Sequence, residues 1–178
     1  MWAPNSALLL VDFQNEWKDQ SSVYYLGRTS IVEKKAKTLV HEAIKNQSPI
    51  AYTKKYGDNE EEDVFPKNNM RSEIIDEIPV EEGIEIFGRK GWDPFIETYI
   101  DDFFIDMNVE HLYIAGLAIN AGVRECVESA YNRGYSITLV KDCCLAETSE
   151  EFQFTVEDLQ KYRFITVKTL KQVIEQPL

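Results

Sequence analysis

The sequence predicts an α/β protein of three layers, α/β/α, built on a six-stranded, mostly parallel sheet in the order 3-2-1-4-5-6. Two observations predict it. Short apolar runs alternate with capped, amphipathic helical patterns from end to end, as in strands joined by crossover helices. The length of 178 residues suits one domain with a sizeable core and is too short for two ordinary ones. No internal repeat or low-complexity tract interrupts the alternation, so residues 1–178 read as a single domain.

Ala7–Val11 is an apolar run that reads as a buried strand. Ser30-Ile-Val-Glu33 reads as a capping box, and Val32, Ala36, Leu39, Val40 and Ala43 form the stripe of the helix it would open. Ile50–Thr53 is the second strand and Ile84–Phe87 the third. Between them lies the irregular stretch Lys54–Asn69, long enough for a lid or interface element, whose acidic run Glu60–Asp63 reads as a solvated surface. Asp93-Pro94 predicts a helix with a capping carboxylate and a proline at its first position. Phe95, Ile96, Tyr99, Ile100, Phe103 and Met107 would give that helix a broad apolar face. Leu112–Gly116 is the fourth strand, and the helix after it closes on Gly134. Ser136–Val140 is the fifth strand, followed by a packed turn at Asp142-Cys143-Cys144, and Phe164–Val167 is the sixth. Thr148–Glu151 and Thr169–Gln172 read as capping boxes of the last two helices.

Composition excludes several function classes. A net charge of -12 argues against nucleic acid, which needs a basic face. No apolar run is long enough to span a bilayer, and Asp12 interrupts the first apolar stretch, so neither a membrane span nor a signal peptide is expected. Three cysteines without framework spacing point to a reduced, cytoplasmic setting. His41 and His111, the only histidines, lack ligand spacing, so no metal and no cofactor is expected.

Chemistry concentrates at strand ends. Asp12 closes an otherwise apolar strand, and strand C-termini in such sheets face the ligand crevice. Lys90 lies between Gly88-Arg89 and Gly91, just past a strand. The run Ile114–Tyr135 carries a strand into a turn and then a helix whose first residues include Gly122. Cys126 lies one helical turn further, about 6 Å along the axis, in the stripe Val123, Cys126, Val127, Ala130, Tyr131, which is a core pattern.

Three segments in register, Leu8–Trp17 with Asp12-Phe-Gln14-Asn, Phe87–Phe95 with its lysine, and Ile114–Tyr135, resemble the isochorismatase-like hydrolases, a cysteine hydrolase superfamily. The resemblance spans almost the whole chain and implies a Rossmann-like sheet. It implies Asp12 as the group that handles protons and Lys90 as its electrostatic support. Most of the family places a nucleophilic cysteine where this chain has Gly122, so a covalent acyl-enzyme at that position is excluded. Cys126 is the residue weighed as a displaced thiol, with the core reading favoured. The resemblance further implies a cis Leu117–Ala118 peptide, an oxyanion hole from the amides of Ala118 and Gly122, and a substrate pocket from Phe13, Gln14, Trp17, Trp92, Phe95 and Asn120. The nicotinamidase branch binds metal with an Asp-x-His and a further histidine, where this chain reads Tyr52–Asp58 without either histidine. True isochorismatases carry glycine at the cysteine place and hydrolyse a vinyl ether, which suits Asp12 as general acid. Those enzymes read substrate carboxylates with a glutamine and an arginine after the second strand; here stand Lys54, Lys55 and, more distantly, Arg71. Two readings follow: a small-molecule hydrolase without a covalent nucleophile, working as a homo-oligomer, or a member that has lost catalysis and binds a ligand or partner.

Overall fold

Six strands, β1 (Ser6–Val11), β2 (Ile50–Lys55), β3 (Ile84–Arg89), β4 (His111–Leu117), β5 (Ser136–Leu145) and β6 (Ile165–Lys168), form one sheet in the order β3-β2-β1-β4-β5-β6. Every neighbouring pair is parallel, as expected. This computed structural model describes residues 2–57 and 64–175; the acidic run Glu60–Asp63 lies outside them. All six residues of β1 are buried, so both faces of the sheet are covered at its centre. Burial of Leu8, Leu9 and Leu10 contributes about 2 kcal/mol each. The helices α1 (Thr29–Lys45), α2 (Ile100–Asp106), α3 (Arg124–Asn132), α4 (Ser149–Leu159) and α5 (Leu170–Ile174) flank it.

At the C-terminal ends of the central strands the backbones approach closely. A Cβ on Gly116 would lie 2.2 Å from the Val11 carbonyl oxygen, so only glycine lets β4 sit against the last residue of β1. Asp12 follows immediately.

Four local expectations need correction. The Ser30–Glu33 box does not form. Arg28 precedes the helix without a side-chain cap, and the Glu33 carboxylate is buried beside Lys18 Nζ at 3.2 Å. The helix expected from Asp93 begins only at Ile100. Asp93 Oδ1 accepts from the Phe95 amide (2.8 Å) and Thr98 Oγ1 donates to the Pro94 carbonyl (2.6 Å), local bonds that compete with helix. Glu97 then takes φ +56°, and Ile96, Tyr99 and Met107 of the predicted stripe are exposed. Cys143 and Cys144 lie within β5, not in a turn, because the strand runs on to Leu145 through a register shift against β4. Finally, β3 extends to Arg89, two residues past the expected end, which decides which cation enters the site.

Candidate active site

Asp12 stands at the end of β1 with φ +50°, in the left-handed region, which an aspartate tolerates better than most residues. Its backbone and side chain are held from several directions. The Asp12 amide donates to Thr53 Oγ1 (3.2 Å), and the same hydroxyl donates to Asp12 Oδ1 (2.6 Å). The Asp12 carbonyl accepts from Trp17 Nε1 (2.7 Å) and from the Gln14 amide (2.8 Å). Arg89 Nη2 donates to Oδ2. The carboxylate is wholly buried. Burial raises its pKa above the ordinary aspartate value, while Arg89, Thr53 and Lys55 pull it down.

Arg89, not Lys90, is therefore the cation beside Asp12. Alternate residues of a strand point to opposite sides, so once β3 includes Arg89 the next residue cannot share its direction. Lys90 is exposed, and its carbonyl accepts from Lys55 Nζ (2.6 Å). Arg89 Nη1 donates to the Gly91 carbonyl, and its buried Nε has no hydrogen-bond partner among the described residues.

Gly122 closes the third side. A Cβ built on it would lie 2.9 Å from Arg89 Nη2 and 3.0 Å from Asp12 Oδ2. The guanidinium and carboxylate thus occupy the space where a side chain at this position would begin. The Leu117–Ala118 peptide is cis, as the resemblance implied, and the Ala118 carbonyl accepts from the Ala121 and Val123 amides.

The pocket residues separate into groups. Trp17 and Trp92 belong to an aromatic box with Tyr24 and Phe65, at centroid distances of 5.4 Å for Trp17–Phe65 and 6.4 Å for Phe65–Trp92. Lys55 Nζ lies 4.7 Å from the Trp92 centroid. Phe13 is buried in the core. Gln14 is a structural clamp: Nε2 donates to the Lys55 and Ser72 carbonyls and Oε1 accepts from the Lys55 amide, so both its N–H donors and its oxygen are engaged by backbone. Phe95 turns the other way, against Tyr135 and under the Arg133 guanidinium. Asn120 is exposed.

Cys126 is buried on α3, and burial pushes its thiol well above the usual range. Arg71 forks onto the buried Glu16 carboxylate at 2.6 and 3.0 Å, and Lys54 pairs with Glu73 at 2.7 Å. His111 packs beside Thr138 Oγ1, its pKa lowered to about 4 chiefly by burial. Among the described residues no group of three acidic, cysteine or histidine side chains is placed to hold a metal, and no helix is long and apolar enough to cross a membrane. Sequence reasoning missed Thr53, Arg89, Tyr24 and Phe65. A polar residue at the end of the expected second strand, Ile50–Thr53, was the one available signal, for Thr53.

Residues 6–172 match the family model described as the isochorismatase domain. An uncharacterized isochorismatase family protein, YaaI of Bacillus subtilis (strain 168), is 27% identical over 177 residues, covering 97% of this chain and 98% of the relative. Similar solved structures include an isochorismatase-like hydrolase from Alkaliphilus metalliredigens, with a TM-score of 0.85 at 17% identity over 96% of this chain and 97% of that one. N-carbamoylsarcosine amidase from Thermoplasma acidophilum gives 0.81 at 22% identity over 93% and 96%. The zinc complex of Pyrococcus horikoshii pyrazinamidase gives 0.82 at 18% identity over 93% and 99%.

Proposed function

The chain belongs to the isochorismatase family, and on that premise we propose that it is a small-molecule hydrolase that works without a covalent thiol. The observation that carries the reading is the meeting of Asp12 Oδ2 and Arg89 Nη2 at the place where a side chain on residue 122 would start. With no side chain on residue 122 and a buried carboxylate and guanidinium crowded against it, proton transfer by Asp12 is the chemistry we assign to the site. Burial raises the Asp12 pKa and so favours its protonated form relative to an ordinary aspartate, which suits a general acid. On a vinyl ether, Asp12 gives its proton to the alkene carbon, water adds to the oxocarbenium carbon formed, and the carboxylate takes a proton back from the added water. The hemiketal then collapses, its hydroxyl proton passing to the leaving oxygen as the C–O bond breaks, to give a carbonyl compound and an alcohol. Arg89 stabilises the carboxylate in the interval, and the amides of Ala118 and Gly122 serve as donors to the oxygen that leaves as the C–O bond breaks. Three buried free cysteines support the cytoplasmic setting, and exposed Ile96, Tyr99, Ile105 and Met107 support a homo-oligomer.

The test is turnover of a panel of vinyl ethers, amides and carbamoyl compounds by the wild type and by Asp12→Asn. Turnover that Asp12→Asn removes supports the reading; turnover that survives it overturns the role of Asp12. One observation favours a second reading, a protein that binds without turning over: the side chains of Asp12 and Arg89 are 0% and 1% exposed. Absence of turnover together with saturable thermal stabilisation by a panel compound would favour it.

A further inference from the structure

We propose that Glu16 is a positioning residue: it holds the aromatic wall beside Asp12 in place through Arg71 and the Phe65 amide. Among the described residues the buried Glu16 carboxylate takes four hydrogen bonds from three separate segments. Oε1 accepts from Ser22 Oγ (2.5 Å) and Arg71 Nη2 (2.6 Å). Oε2 accepts from Arg71 Nε (3.0 Å) and the Phe65 amide (3.1 Å). A carboxylate bound bidentately and capped by a further amide is among the stronger polar contacts a protein interior offers.

What this contact holds is the wall of the site. Phe65 is wholly buried yet sits at φ +48°, a conformation a bulky residue keeps only when its surroundings enforce it. Its ring lies 5.4 Å from Trp17, 5.6 Å from Tyr24 and 6.4 Å from Trp92, and Lys55 Nζ approaches it at 5.7 Å. Trp17 Nε1 in turn donates to the Asp12 carbonyl. A path of direct contacts thus runs from Glu16 through Phe65 and Trp17 to Asp12. Neighbouring residues stitch the same two segments together: Gln14 Nε2 to the Ser72 carbonyl, Asn15 Nδ2 to the Met70 carbonyl and the Asn15 amide to the Glu73 carbonyl. Those bonds end on backbone carbonyls, whereas Glu16 takes up the Phe65 amide and the Arg71 fork, whose Nε also lies 3.3 Å from Asp19 Oδ2.

The proposal rests on the hydrolase reading only for its consequence in catalysis, and its test needs no turnover. Acrylamide quenching of tryptophan fluorescence and the three indole N–H resonances are compared in wild type, Glu16→Gln and Arg71→Lys, with far-UV circular dichroism as the check on folding. Trp2, which stacks on Tyr113 at 4.0 Å, is the internal control. In a folded variant the quenching constant rises about twofold or more as the wall opens locally, and the Trp17 and Trp92 resonances move while that of Trp2 stays. A folded Glu16→Gln with wild-type quenching and indole positions overturns the proposal. If Glu16→Gln does not fold, Arg71→Lys decides by the same readouts, since it keeps the charge and loses the fork. Loss of fold in both would make Glu16 a general core residue and overturn the local role.

Discussion

A side chain at position 122 would collide with the two groups that make the site, and this couples three residues distant in sequence. Gly122→Ala places its Cβ 2.9 Å from Arg89 Nη2 and 3.0 Å from Asp12 Oδ2, so the pair must shift. The expected cost is about 1–3 kcal/mol in urea unfolding. Arg89→Lys in the same chain trades the forked head for a slimmer ammonium and should recover part of it. A coupling above about 0.5 kcal/mol in the double-mutant cycle would bear this out, and strict additivity would count against it. Asp12 contributes one part of the pH dependence. Its folded pKa is raised, mainly by burial, so between the unfolded and folded values the native state holds the proton more tightly. Its stabilising contribution is full below the unfolded value and is lost as pH rises through the folded one. A rate that needs protonated Asp12 falls as pH rises through that folded value, and Asp12→Asn removes this dependence of the rate and the Asp12 part of the dependence of stability. Asp12 was legible because it closes an apolar strand, and Gly122 because it stands where the next strand's turn opens into a helix. The choice between Arg89 and Lys90 was not, because two adjacent cations differ only in the phase of the pleat. A strand that ends at Phe87, as the apolar run implies, leaves that phase undefined.

Helix starts show how local chemistry is outvoted. Thr148 and Glu151 satisfy each other's backbone amides at the start of α4, as the sequence implied, and Thr169 with Gln172 does the same for α5. Ser30 and Glu33 have the same spacing, yet the box is absent because the Glu33 carboxylate is drawn inward to Lys18. Thr148→Ala should therefore cost about 1 kcal/mol of stability, whereas Ser30→Ala should stay within about 0.5 kcal/mol. Equal losses in thermal or urea unfolding would contradict the distinction. Strand ends were misread for a related reason. Lys141 and Asp142 interrupt the apolar run of β5, so the strand seemed to stop at Val140. In the fold, Asp142 accepts from Lys35 Nζ (2.9 Å) and from the Leu170 amide (2.6 Å), and those partners let polar residues continue the strand. Tertiary partners of this kind cannot be read from a single segment.

The whole molecule protects its thiols together. Cys126 and Cys143 are 0% exposed and Cys144 is 3% exposed, on α3 and β5 around one core. Burial pushes all three thiols up, Cys144 to about 12, so neither thiolate character nor access is available in the native state. Because these residues sit where the sheet and α3 pack, no small opening frees one of them; alkylation must await opening on the scale of the fold. Labelling by iodoacetamide should then run at least about a thousandfold slower in buffer than in urea, the protection that ~4 kcal/mol of opening free energy supplies. All three sites should modify in parallel, with a rate that climbs with urea along the same slope as global unfolding. This bears on the reaction. If turnover proceeds by proton transfer from Asp12, activity and tertiary structure must decay on one time course during alkylation, because modification happens only after unfolding. A rapid, substrate-protected inactivation traced to Cys126 in the folded protein would give a different answer: a thiol one helical turn beyond Gly122 would be the nucleophile, and the role assigned to Asp12 would have to be reassigned to its activation.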